Sequence, residues 1–197
     1  MTTLTDDQRL TLANLLRDEL LFLRTLVEIA DKHQVRRRFV PRAAQERAVR
    51  EMSGRDIYLK PAQIGITSIF LGLYLVRSIT KPNTVSVIVA HEEHLTQRLL
   101  DRAQVMYDSI PVQFRPPMHH RSSYEKSFPD INSIMYIGTA RSQVFGRGEP
   151  IHNLLLSEEA FYVPEAHERI IIPALQRVPE PPFGTAVRES TPHGAAG

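Results

Sequence analysis

Lys60, Gly65, Thr67, Ser157 and Glu158 are the residues of this 197-residue chain whose types and spacing suit phosphate chemistry. The stretch Leu59 to Ser68, LKPAQIGITS, has the outline of a phosphate-binding loop, G-x-x-x-x-G-K-[ST], with the lysine displaced. Lys60 stands where the first glycine belongs, Gly65 holds the second, and Ile66 takes the lysine's place. A short apolar strand, Ile57 to Leu59, leads in and a helical pattern, Thr67 to Ser78, leads out, as an anion site at a helix N-terminus requires. Backbone N–H groups around Ile64 to Thr67 can wrap the β- and γ-phosphates of a triphosphate, and the Thr67 hydroxyl is placed to ligate Mg²⁺. Lys60 is the only cation the loop supplies. The same residues also suit a tight strand-to-helix turn with an exposed lysine.

Three further segments carry chemistry-bearing residues. In Ile151 to Tyr162, IHNLLLSEEAFY, an apolar strand runs into acids: Ser157 takes the position at which a carboxylate holds Mg²⁺ through water, and Glu158 the position that polarises an attacking water. Glu159, one residue on, points differently and reads as a surface residue or helix cap. In Gly138 to Gly148, GTARSQVFGRG, glycines flank Arg147 and give it a backbone suited to presenting a guanidinium to a phosphoryl group on a neighbouring subunit. Glu189 to Gly194, ESTPHG, ends a strand in small hydroxyls, Pro and Gly, suited to a turn that senses a γ-phosphate. A buried strand ending in solvated acids, a flexible connection and an ordinary β-turn would use the same residues.

The elements that must position these segments follow from hydrophobic spacing. Leu10, Leu12, Leu15, Leu16, Leu20, Leu23, Leu26 and Val27 predict one long amphipathic helix, or two, between Thr5 and His33. A helix over Arg42 to Met52 follows Pro41. Then come a strand at Ile57 to Lys60, helix Thr67 to Ser78, strand Thr84 to Ala90, helix Glu92 to Tyr107 and an irregular Pro-rich stretch, Pro111 to Asp130. Strands Ser133 to Thr139 and Asn153 to Leu156, helix Glu165 to Val178 and strand Thr185 to Glu189 complete the order. This alternation predicts an α/β fold, a mainly parallel sheet flanked by helices, with its ligand at the carboxyl ends of the strands. Each candidate segment falls at such an end.

Composition narrows the class. Hydrophobic content of 42% and charged content of 23% are those of an ordinary globular domain, and no apolar run approaches the ~20 residues of a membrane span. The start, MTTLTDDQR, lacks a signal-peptide pattern, and the absence of cysteine excludes disulfides and thiolate metal sites. Net charge is only +2, so basic character is confined to a cluster at Arg36, Arg37, Arg38 and Arg42. The eight histidines show no metal-ligand spacing.

Taken in order, the four segments resemble the ATPase domain of the large terminase subunit, the DNA-packaging motor of tailed bacteriophages and related viruses. Members often show K-S-R-Q-x-G-x-S-T in the phosphate loop, a GRG loop before the acidic strand, H-N-L-H-L-S-E-x-A-F-W at that strand and E-S-T-P-x-G downstream. This chain has KPAQIGITS; Gly146, Arg147 and Gly148; His152 to Glu158 with Ala160 and Phe161 following; and Glu189 to Gly194. The resemblance implies a P-loop NTPase of the additional-strand, RecA-like type over residues 39–197, with an N-terminal helical extension over 1–38. It implies ATP and Mg²⁺ bound by Lys60, Gln63, Ile64, Gly65, Ile66, Thr67 and Ser68, with Ser157 as a second metal-side residue, Glu158 activating water and Arg147 acting in trans on a neighbour's nucleotide. Ser190 and Thr191 would couple hydrolysis to movement, and Gln45 would recognise the adenine edge, with Phe39 as a stacking partner.

The implied activity is ATP hydrolysis that drives double-stranded DNA into a procapsid. The implied partners are the portal protein and the small terminase subunit, with a homo-oligomeric ring on the portal, a monomer in isolation, no membrane association, and residence in the host cytoplasm. Ala62 replaces an arginine common in the loop, and Ser157 replaces the usual aspartate, which should weaken the hold on Mg²⁺. The sequence stops three residues after Gly194, so a fragment without the nuclease domain of a complete large terminase is expected. Two other readings stand at this point: another P-loop translocase or helicase, and a nucleotide- or DNA-binding module without turnover.

Overall fold

Alternate residues of a central sheet feed two separate cores, one on each face, and this fixes the layers of the molecule. The computed structural model describes residues 5–31, 33, 35–140 and 148–192. The sheet contains β3 (Arg55–Leu59), β4 (Val85–Ala90), β5 (His119–Ser122), β6 (Glu125–Phe128), β7 (Ser133–Thr139), β8 (Asn153–Ser157) and β9 (Thr185–Ser190). A separate hairpin pairs β1 (Glu28–Ala30) with β2 (Arg36–Arg38). The helices are α1 (Asp6–Leu15), α2 (Glu19–Leu26), α3 (Ala43–Arg50), α4 (Ile66–Thr80), α5 (Glu93–Ser109), α6 (Pro164–Ala166) and α7 (Ile172–Gln176), the last two joined by a π-helical turn at His167–Ile171.

The seven-stranded sheet runs β3-β9-β8-β4-β7-β6-β5. Its first five strands pair in parallel, and the β5–β6 hairpin adds antiparallel pairing at the far edge. On one face Ile88, Leu155 and Val187 pack under α2, α4 and α5; on the other, Val87, Val89, Leu154, Leu156 and Ala186 meet Ile170, Ile171 and Ala174. Helix α4 lies against the sheet and is buried on nearly every side, so its sequence is apolar almost throughout. Gly72 sits where α4 is approached most closely: a Cβ there would come within 3.0 Å of Leu23 and 3.1 Å of Phe39.

Two sequence expectations are corrected here. The apolar spacing from Thr5 to His33 gives two helices and then a strand, because Asp18 restarts the helix, its Oδ1 accepting from the N–H groups of Leu20 (2.9 Å) and Leu21 (3.2 Å). Beyond Leu26 the chain pairs as the β1–β2 hairpin, which places Arg36 to Arg38 on an exposed strand. The Pro-rich stretch ends in the β5–β6 hairpin, whose register against β7 buries Phe128.

A charged network fastens α2 to α4 and the sheet. Arg77 Nε and Nη2 donate to the two Glu19 carboxylate oxygens (2.9 and 3.0 Å), while Nη1 donates to Asn153 (3.0 Å) and Thr185 (3.2 Å). Lys81 adds a 2.7 Å contact to Glu19. Burial works against charge on Glu19, but Arg77 and Lys81 outweigh it and hold its carboxyl below the ordinary value of 4.5. Removing the guanidinium would leave that carboxylate with Lys81 alone and strip Asn153 and Thr185 of a partner, so Arg77→Ala should destabilise by about 3 kcal/mol in chemical denaturation. Arg47→Ala, which breaks only an exposed pair with Glu51, should cost no more than about 0.5 kcal/mol. Equal effects would mean the network does not dock the helix.

Candidate functional site

The carboxyl ends of β3, β9 and β8 lie side by side, and each delivers a different charged group to the same spot. At the end of β3 the Lys60 N–H continues the ladder by donating to the Ser190 carbonyl (3.0 Å), after which the chain turns sharply into α4. Gln63 (φ 63°) and Gly65 (φ 84°) make that turn in the left-handed region. Gly65 is required twice over, since a Cβ there would also lie 2.5 Å from Gln45 Nε2. As the N-cap of α4 it offers no side chain to the helix, and the first N–H groups are left without a side-chain cap. An uncapped N-terminus at the head of a 15-residue helix is an anion-binding arrangement.

The side chain of Lys60 is almost fully buried and reaches the ends of β8 and β9. Its Nζ lies 2.7 Å from Glu158 Oε1 and 2.9 Å from Glu189 Oε2. Glu158 follows β8 in a left-handed conformation (φ 57°), an arrangement that costs a non-glycine residue of order 1 kcal/mol and calls for compensation nearby. That compensation is visible: Glu158 Oε2 accepts from the Thr191 backbone N–H and the Thr191 hydroxyl, both at 3.0 Å. Glu189 is fully buried on β9, in register with Tyr58 of β3 and Ser157 of β8. Its Oε1 accepts the Thr67 hydroxyl proton at 2.7 Å.

Electrostatics tie these groups together. Burial opposes charge on Lys60, but the hydrogen bonds and charges of Glu158 and Glu189 outweigh it and raise the ammonium pKa above lysine's ordinary value. Burial likewise pushes the Glu158 carboxyl up, and Lys60 together with Thr191 overcomes this and holds it below 4.5. Two carboxylates face one ammonium, so the cluster carries an excess negative charge beside an uncapped helix N-terminus.

The structure brings together Lys60, Thr67, Ser157, Glu158, Ser190 and Thr191 at the ends of β3, β8 and β9 and the start of α4. Gln63, Ile64 and Gly65 form the turn, while Ile66 is buried as the first helical residue. Ser68 accepts a hydrogen bond from Arg102 of α5 at 2.9 Å. Gln45 stands beside the loop, but both ends of its amide are used within the protein: Nε2 donates to the Gly65 carbonyl and Oε1 accepts from the Arg42 N–H, each at 2.8 Å. Phe39 is a core residue packed against Gly72, so in this conformation it has no face to offer a base. Glu159 is also corrected: it is buried and holds Arg188 through both oxygens, at 2.6 and 2.7 Å. Arg147 lies outside the described residues, as do His193 and Gly194. The sequence did not single out Glu189, whose place opposite Ser157 follows only from strand pairing.

Beside the loop, a cleft of about 380 Å³ opens between α3 and the free edge of β3, lined by Ala44, Ala48, Tyr58, Lys60 and Ile64 with Arg47 and Glu51. Among the described residues no group of three or more His, Asp or Glu side chains is placed to hold a metal.

The sequence matches no protein-family model and no curated protein. Among solved structures, the chain is similar to the HK97 bacteriophage large terminase, with a TM-score of 0.67 and 14% identity over 88% of this chain. It is similar too to an arginine-to-alanine mutant of the Thermus phage P74-26 large terminase ATPase domain, with a TM-score of 0.61 and 17% identity over 79% of this chain. A further structure of that ATPase domain gives 0.56 and 17% over 78%. The chain spans 37% of the length of the HK97 protein and 66% of each P74-26 domain. The fold is therefore that of the large-terminase ATPase domains, a mainly parallel sheet flanked by helices in which β9 lies between β3 and β8.

The depressed Glu158 carboxyl contributes stability that is complete above pH 4.5 and is lost as pH falls through its lower folded value. Acidification from pH 5 to pH 2 should accordingly cost the wild type more unfolding free energy than Glu158→Gln, in denaturant titrations at each pH. Parallel acid limbs for the two proteins would show that the ion pair does not form in solution.

Proposed function

We propose that this chain, which has the large-terminase ATPase fold, binds ATP with Mg²⁺ and hydrolyses the γ-phosphoryl bond to drive double-stranded DNA into a viral procapsid. The observation that carries the reading is Lys60 Nζ held 2.7 Å from Glu158 over the uncapped N-terminus of α4. This groups a cation, a carboxylate and the first turn of α4, the elements on which a phosphate would be held. The displaced lysine would then serve the role of a lysine at position 66.

The phosphates would lie on the N–H groups from Gly65 to Ser68, with Lys60 leaving Glu158 to neutralise them. Glu158, still oriented by Thr191, would accept a proton from the water that attacks the γ-phosphorus in line. Thr67 and Ser157 would hold Mg²⁺; the Thr67 hydroxyl suits this because its proton is committed to Glu189, which leaves its lone pairs for a hard cation. Bound Mg²⁺ would neutralise charge on the β- and γ-phosphate oxygens. Loss of the γ-phosphate would be felt at Thr191 and Ser190 through the shared carboxylate, which supports their coupling role. The base would occupy the cleft lined by Ala44, Ala48 and Tyr58, beside Gln45.

Arg147 would serve a neighbouring subunit's nucleotide in a homo-oligomeric ring on the portal protein. The small terminase subunit and duplex DNA would be the other partners, in the host cytoplasm. A protein that carries this module should be monomeric in isolation and gain activity on assembly.

The test is steady-state ATP hydrolysis by the ring-assembled protein, with nucleotide binding measured separately. Lys60→Ala and Glu158→Gln should each lower turnover by about 10²-fold or more, while Glu158→Gln still binds ATP. Ile66→Ala should change turnover by less than about threefold, since only its backbone N–H faces the phosphates. Full activity in Glu158→Gln would rule out the assignment of the base. ATP with Mg²⁺ at 100 times its dissociation constant should also stabilise the fold by about 2.7 kcal/mol.

A further inference from the structure

Ser157 leaves the acidic strand without a carboxylate at the position facing the metal, yet a carboxylate is present one strand away. Glu189 reaches the same spot from β9, directly opposite Ser157 in the parallel register, where neighbouring strands lie about 4.8 Å apart. Its side chain is completely buried. One oxygen is spent on the Thr67 hydroxyl at 2.7 Å. Among the described residues the other accepts no aligned hydrogen bond and has only the Lys60 ammonium, at 2.9 Å, to offset its charge.

That arrangement is balanced only while Lys60 stays in place. A buried carboxylate left with one hydroxyl partner would bear a large desolvation penalty, so whatever draws Lys60 away must be accompanied by another positive charge. A divalent cation arriving on a nucleotide supplies that charge at the required place. The Thr67 hydroxyl points its proton at Glu189 and its lone pairs elsewhere, and the free Glu189 oxygen is available to a water on the cation.

We propose that Glu189 is the metal-side carboxylate of this site, orienting Thr67 toward the divalent cation of a metal–nucleotide complex and accepting from a cation-bound water, in place of the carboxylate that Ser157 lacks. This rests on the nucleotide-binding reading above. Glu189 is a positioning residue in this role, and it differs from Glu158 in facing the cation side of the phosphates. Thr67 has a second use as the link between them. The two strand-end acids thereby divide the work, Glu189 toward the metal and Glu158 toward the water.

The experiment measures binding of a fluorescent ATP analogue with and without Mg²⁺, and of Mn²⁺ to the nucleotide complex by electron paramagnetic resonance. It uses the wild type, Glu189→Gln and Glu189→Asp, with a thermal melt to confirm folding. The wild type should bind the Mg²⁺ complex more tightly than metal-free nucleotide. Glu189→Gln should weaken Mn²⁺ binding in the ternary complex by about 10-fold or more, the scale of losing an outer partner of a metal ligand, while metal-free nucleotide binds at least as well as before. Glu189→Asp keeps the charge but falls short of Thr67, so it should show the same loss in a fold that retains its ion cluster.

Retention of the full Mg²⁺ and Mn²⁺ preference in Glu189→Gln, or in Glu189→Asp should the glutamine variant not fold, would overturn the proposal. Wild type that binds no nucleotide would overturn the nucleotide reading along with it, whereas wild type that binds nucleotide with no change in any variant would overturn only the role of Glu189.

Discussion

The Lys60 ammonium, shared between Glu158 and Glu189, is the interaction on which the arrangement of this molecule turns. Two carboxylates at the ends of adjacent strands repel one another, and desolvation adds to that cost. A single buried cation reverses the balance, and it can do so only if β3, which delivers Lys60, lies next to β9 and within reach of β8. The strand order places β9 between them. The last described strand is therefore inserted into the middle of the working edge, and its two terminal hydroxyl residues are brought against Glu158.

The scaffold is organised to hold that cluster without yielding. Helix α4, locked to the sheet and to α2 by Arg77 at one end, presents its other end as an uncapped row of N–H groups under Lys60. Left-handed backbone shapes the loop at Gln63 and Gly65 and the strand end at Glu158, and hydrogen bonds from Gln45 and Thr191 hold these turns. Turns fixed from several elements suit a preorganised polar site. Arg188 and Glu159 form a second pair at the same strand ends, turned toward the opposite face of the sheet.

Much of this was open to a reading of residues. Strand-to-helix alternation gave the element order from Arg55 onward, because buried parallel strands are short apolar runs and the helices between them keep their period. Lys60, Thr67 and Glu158 could be found because loop and strand-end motifs are local. The misses share a cause. The N-terminal hairpin was hidden inside an apparently helical spacing, since Leu26 and Val27 are apolar in either conformation and Asp18 is a cap only once the chain has turned there. Phe39 and Gln45 looked available to a base, but the one is consumed by the close approach at Gly72 and the other by the Gly65 carbonyl. Both contacts span more than 15 residues of chain, and no local pattern reports them.

What the sequence by itself determined is the set of chemical groups and their place at strand ends: a lysine after the first sheet strand, a hydroxyl at the helix start, an acid after an apolar strand, and a hydroxyl pair downstream. Each of these is written into a run of about ten residues. What only the tertiary structure decided is which of them meet. Strand order and register, set by how two apolar faces bury against helices, put Glu189 opposite Ser157 and turned Glu159 away to Arg188. Side-chain partners across a parallel sheet are fixed by non-local pairing, and the order of strands in space cannot be deduced from their order along the chain.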